Sequence, residues 1–83
     1  KLGLSFREVK EEDFFQIENI LQESAQPGFD WKPFYPENIR FIIIKDHVCG
    51  FLLKNHIVIK HLFLKPYFQD QGLSREMVEA YLF

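Results

Sequence analysis

Cysteine and long apolar runs are both scarce in this chain of 83 residues. A single cysteine, Cys49, excludes an internal disulfide and is typical of a reducing compartment, so we expect a cytoplasmic protein. The longest apolar runs, such as residues 41–44, are far shorter than the roughly 20 residues that cross a bilayer, and no signal-peptide pattern is present. We therefore predict neither a disulfide scaffold nor membrane association.

Positive charge is also limited. Ten Lys and Arg stand against twelve Asp and Glu, which gives a net charge of −2. Domains that bind nucleic acid usually carry a basic face, so nucleic acid is a poor candidate partner. No metal site is predicted.

Apolar residues, in contrast, are abundant. They make up 47% of the chain and include ten Phe. A chain of this length forms one small domain at most, here residues 1–83, and its stability should be modest. The apolar excess indicates either an aromatic-rich core or an apolar surface that another chain covers.

The apolar pattern predicts an α/β fold with the order β-α-β-β-β-α and a mostly antiparallel sheet. Short loops at Asp46–His47 and Asn55–His56 favour a three-strand meander, and the last two strands are apolar enough to be covered on both faces. In the last helix, Leu73, Met77, Ala80 and Tyr81 form the expected apolar stripe. The predicted strands are residues 2–9, 39–45, 48–54 and 57–65, and the predicted helices are residues 11–24 and 72–83.

Residues 26–38 have no regular pattern. Three prolines block a long helix there, and four aromatic residues are unusual for a solvated loop. A short helical turn and an aromatic-rich lid are both consistent with this composition.

The stretch from Gln69 to Arg75 joins the last strand to the last helix. Backbone N–H groups at a helix N-terminus attract anions, and Gly72 has no Cβ to block close approach. The stretch is therefore either a phosphate cradle or a simple turn.

Three motifs carry a resemblance to a known family. "HLFLKPYFQDQGLSREMVEAYL" resembles the central motif of the GNAT family of N-acetyltransferases, in which Q/R-x-x-G-x-G/A opens a helix; Gln69, Gly72 and Ser74 take the three marked positions. "FREVKEEDFFQIENIL" is similar to the opening strand and helix of the family, and "RFIIIKDHVCGFLL" to its second and third strands, with Gly50 where a glycine is frequent. The resemblance covers nearly the whole chain in the right order.

The resemblance implies a GNAT-like (acyl-CoA N-acyltransferase) fold and an acetyl-CoA-dependent transfer of an acetyl group to an amine. The backbone of the fourth strand would pair with the pantetheine arm of acetyl-CoA, and the loop amides would hold the pyrophosphate. The strand residues are Leu62, Phe63 and Leu64, and the loop residues are Gln69, Asp70, Gln71, Gly72, Leu73, Ser74 and Arg75.

The sequence also departs from the family pattern. Ser74 replaces Gly or Ala, and Asp70 and Gln71 occupy positions that are often basic, so coenzyme binding should be weakened. The family sheet continues beyond this helix, which implies a partial, truncated domain or the amino-terminal half of an enzyme. We expect the second wall of the cleft to come from a second copy, a separate chain or further residues.

Catalytic candidates are few. The fourth strand has no acidic residue, so His61 is the candidate base, with packing in the strand as its alternative role. Lys60 either lines a cleft or extends to an edge, and Cys49 is expected to be a small buried hydrophobe.

Two other readings of the sequence stay open. One is a non-catalytic GNAT-like binding or assembly module, and the other is an unrelated α/β domain. The apolar fourth strand and last helix predict self-association, or a partner chain that completes the sheet.

Overall fold

The computed structural model describes residues 3–69, 72–73 and 75–82, apart from the side chain of Leu82. Two 3₁₀ turns, Glu11–Asp13 and Lys32–Phe34, precede α1 and β2 respectively. The predicted α/β order is confirmed, with one short extra helix after the fourth strand. The elements are β1 (Leu4–Glu8), α1 (Phe14–Glu23), β2 (Ile39–Ile44), β3 (His47–Asn55), β4 (Val58–Leu64), α2 (Pro66–Gln69) and α3 (Arg75–Leu82).

The four strands form one sheet in the order β1-β2-β3-β4, and every neighbouring pair is antiparallel. The β2–β3 turn consists of Lys45 and Asp46, both at positive φ (50° and 67°), as the common two-residue hairpin turn requires. His47, which we predicted in this turn, is instead the first residue of β3. The β2–β3 turn is thus one residue earlier than predicted, whereas the β3–β4 turn is one residue later than predicted, at 56–57.

Two β-bulges interrupt the ladder. Ile42 pairs with Gly50 and Ile43 with Val48, which leaves Cys49 as the extra residue. The second bulge is on β4. Leu53 pairs with His61 and Lys54 with Ile59, which leaves Lys60 as the extra residue. A bulge bends its strand and re-aims neighbouring side chains.

Cys49 is fully buried, as expected, and its thiol donates a hydrogen bond to the carbonyl oxygen of Ile42 at 3.2 Å. Burial raises the pKa of the Cys49 thiol from its ordinary value of 9.0 to about 11. The thiol is therefore protonated at neutral pH and serves as packing.

Each face of the sheet has its own core. On the first face, α1 and residues 26–38 pack against the sheet through Ile17, Trp31, Phe41, Phe51 and Phe63, among others. On the second face, Leu73 and Val78 pack against residues that include Ile42, Leu52 and Ile59. Two cores in 83 residues account for the apolar content, and they confirm that β3 is covered on both faces.

The predicted stripe of the last helix is wrong in part. Leu73 and Val78 are buried and Met77 is half-buried, but Ala80 and Tyr81 are exposed. The predicted stripe includes Leu73 as a helical residue, but α3 begins at Arg75. Leu73 therefore precedes the helix, and its position does not determine which side of the helix is buried. No helix within the described ranges is long and apolar enough to cross a membrane.

Candidate functional site

The outer edge of β4 is where the predicted coenzyme strand lies. Lys65 N–H donates a hydrogen bond to Cys49 O at 2.9 Å, so these two residues form a hydrogen-bonded pair between β4 and β3. In an antiparallel ladder, such pairs alternate with pairs whose backbone groups point away from the partner strand. Phe63 therefore turns its backbone groups toward Phe51 in β3, whereas Leu62 and Leu64 turn theirs away from β3. Of the three predicted residues, two thus face the edge with their backbone.

The carbonyl of Leu64 already has partners at this edge. Ser24 Oγ, just after α1, and Gln69 Nε2, at the end of α2, each donate a hydrogen bond to Leu64 O at 3.1 Å. These bonds fasten both helices to β4. They also leave Leu62 as the predicted strand residue best placed to pair with an extended ligand.

The loop after β4 differs from a plain strand-loop-helix junction. Pro66 begins α2, where its missing N–H costs nothing, and Gln69 ends this helix. Gly72 follows at φ +76° and is exposed, and apart from its chain neighbours no atom of the described residues lies within 4 Å of the position that a Cβ would take. Leu73 is anchored in the second core. Asp70, Gln71 and Ser74, all predicted to belong to the site, lie outside the described residues.

Arg75, the last of the predicted loop residues, opens α3. In the structure its guanidinium Nη2 donates a hydrogen bond to the carbonyl oxygen of Lys60 at 2.8 Å. This bond crosses from the helix to the bulge of β4. The side chain of Arg75 thus supports β4.

His61, the candidate base, lies on the first face of the sheet and is half-buried. Its ring centroid is 4.7 Å from that of Phe29, in an edge-on contact, and 6.1 Å from that of Phe63, with the rings stacked. Leu73 belongs to the core on the opposite face. The structure therefore does not bring the His61 ring and the Gly72 loop together on one face.

A groove lies beside His61, where residues 26–38 meet the ends of β3 and β4. Its volume is about 470 Å³. Lys60 and His61 both line it, because the bulge brings these consecutive side chains to one side of the strand. The sequence left the role of Lys60 open, and the structure places it in this lining. The rest of the lining was not predicted and comprises Pro33, Phe34, Asn38, Lys54 and Asn55.

Aromatic residues build the wall of this groove. Phe34 lies 6.2 Å from the His61 ring, and Trp31 holds the segment in place by donating from Nε1 to Glu18 Oε2 at 2.8 Å. Residues 26–38 thus form a fixed aromatic wall with a 3₁₀ turn. Of the two predicted forms, the short helical turn is present.

Within the described part of the chain, no three His, Cys, Asp or Glu side chains are grouped so that they could hold a metal ion. In comparisons with known proteins, no family model, no curated protein and no solved structure matches this chain. What the chain does must therefore be inferred from its residues and their geometry.

Proposed function

We propose that this chain is an acetyl-CoA-dependent N-acetyltransferase with a GNAT-like fold, and that it transfers an acetyl group to an amine. The pantetheine arm would lie along the outer edge of β4 at Leu62, with the pyrophosphate at the loop before α3. The order of strands and helices agrees with this proposal, as does the placement of α1 and α3 on opposite faces.

The observation that carries the proposal is the conformation of Gly72. It combines a left-handed φ of +76° with open space around the Cβ position. The left-handed φ favours a glycine there, and apart from its chain neighbours no atom of the described residues would contact a Cβ. A glycine at such a position suits a ligand that approaches the backbone closely. The helix that follows adds N–H groups and a favourable dipole for an anion.

The reaction would need few side chains. The amine attacks the thioester carbonyl, the C–N bond forms, the C–S bond breaks, and coenzyme A leaves with the sulfur. A backbone N–H polarises the carbonyl, and a base takes the proton from the amine. His61 is the candidate for this base on β4.

Coenzyme binding should depend on Gly72. Asparagine adopts a left-handed φ at lower cost than other side chains, so Gly72→Asn adds a side chain to the cradle with little backbone strain. We expect the affinity for acetyl-CoA to fall at least about tenfold, which corresponds to about 1.4 kcal/mol. Isothermal titration calorimetry measures it.

Gly28→Asn is the matched control. Gly28 is also exposed, with no atom within 4 Å of its Cβ position, and it lies far along the chain from the loop. This variant should bind acetyl-CoA like the wild-type chain. Equal affinities of Gly72→Asn and the wild type would show that the pyrophosphate does not use this loop.

A second function is favoured by the composition of β4. The strand contains no Asp or Glu, and the His61 ring packs against Phe29 and Phe63. These features suit a non-catalytic binding or assembly module, in which the free edge at Leu62 pairs with another chain. Sedimentation velocity at micromolar concentration should then show a dimer without coenzyme A. A clean monomer that binds no coenzyme would exclude pairing between two copies of this chain and would also exclude the enzyme.

A further inference from the structure

The groove beside His61 has a chemical character of its own. Its volume of about 470 Å³ lies in the range of sites for small ligands. It is on the first face of the sheet, and the Gly72 loop is anchored on the second through Leu73. An occupant of the groove would thus be distinct from a pyrophosphate at the loop.

The charge of the lining is positive. Lys54 and Lys60 both contribute to it, and no Asp or Glu is among its described residues. The whole chain is acidic, with a net charge of −2, so this local excess of positive charge stands out. A local excess of positive charge attracts an anion.

The other wall is flat and partly apolar. Pro33 and the half-buried Phe34 form it, and the His61 ring stands edge-on to Phe34 at 6.2 Å between centroids. The His61 ring also meets Phe29 edge-on and stacks with Phe63. The wall therefore offers a planar group an aromatic surface for contact.

We propose that this groove binds a small planar organic anion. The planar part lies on the Phe34 ring with its edge toward His61, whose ring stands at 88° to that of Phe34, and the anionic group lies near Lys60. The amides of Asn38 and Asn55 line the same groove and can hydrogen-bond to polar substituents. The groove shares His61 with the proposed acetyltransferase, but the binding itself needs no coenzyme, so a test without coenzyme separates the two proposals.

Three probes test it on the full chain by ¹H–¹⁵N NMR titration without coenzyme. Benzoate is planar and anionic, benzamide is its neutral counterpart, and inorganic phosphate is an anion without a plane. We expect benzoate to shift the amide signals of Asn55, Lys60 and His61 in a saturable way. Benzamide and phosphate should each bind at least about fivefold more weakly.

A pair of lysine variants locates the charge. Lys60 is exposed and only its backbone carbonyl meets Arg75, so Lys60→Gln should leave the fold intact and weaken benzoate binding about fivefold. Lys45→Gln removes an exposed lysine at the opposite end of β3 and should change nothing. Scattered, non-saturable shifts, or unchanged benzoate binding by Lys60→Gln, would overturn the proposal. Phosphate or benzamide that binds as tightly as benzoate would overturn it as well.

Discussion

Replacing Gly50 by alanine is expected to lower the midpoint of thermal unfolding by more than about 10 °C. An added Cβ at this position would lie 2.1 Å from the carbonyl oxygen of Phe63 and 2.9 Å from the Cα of Leu64. Both are backbone atoms of β4, so no flexible side chain can move aside. Either β3 and β4 must separate locally or the ladder must shift its register.

The expected cost is large in relation to the total stability. Overpacking a core usually costs about 1–3 kcal/mol, and this contact falls at the upper end because backbone must move. A chain of this length has about 4–12 kcal/mol in all. Each kcal/mol corresponds to roughly 4–8 °C in a domain of this size. Circular dichroism melts of the purified variant measure the loss.

Gly28→Ala is the control for removing a glycine as such. Apart from its chain neighbours, no atom of the described residues lies within 4 Å of the Cβ position of Gly28. The free energy of unfolding of this variant should therefore be within about 0.5 kcal/mol of the wild-type value. If the two alanine variants melted alike, the close approach of β3 and β4 at Gly50 would be contradicted.

Gly50 also illustrates what the sequence reveals and what it conceals. The resemblance marked the position as one where glycine is frequent, but the physical reason lies in β4, thirteen residues further along the chain. The four strands and the two main helices were predictable because apolar periodicity is local. Strand bulges at Cys49 and Lys60 were not, because they depend on which residues pair across the sheet.

In the candidate site, too, the features that depend on local sequence were predictable and those that depend on distant residues were not. Gly72 was recognisable from the sequence, because a glycine before a helix has a local meaning. The bond from Arg75 to Lys60 spans fifteen residues and depends on how α3 docks, so the sequence gives no signal for it. The α2 helix was missed for a different reason. The predicted strand 57–65 ends just before Pro66, and proline, which ends strands, is also frequent as the first residue of a helix.

The second large effect concerns Trp31, the anchor of residues 26–38. Its side chain is 1% exposed, its ring meets Phe14 edge-on at 4.7 Å, and its Nε1 donates to Glu18 Oε2 at 2.8 Å. Truncation of a buried Trp to Ala typically costs about 3–5 kcal/mol, because contacts are lost and a cavity remains. Trp31→Ala should therefore lose about a quarter or more of the total stability, as measured by urea unfolding followed by circular dichroism.

Phe15→Ala provides the matched comparison. Phe15 neighbours Phe14 on α1 but is 63% exposed, so its removal should cost less than about 1 kcal/mol. Trp31→Phe keeps an aromatic ring in the core but loses the donor to Glu18 and part of the buried ring, which predicts an intermediate loss. Equal stabilities of Trp31→Ala and Phe15→Ala would contradict the buried position of Trp31.

The effect of Trp31→Ala should also reach the groove, since the same segment carries Phe29 and Phe34, whose rings contact His61. Hydrogen exchange in residues 26–38 should therefore accelerate in Trp31→Ala, and benzoate should bind this variant more weakly than it binds Phe15→Ala.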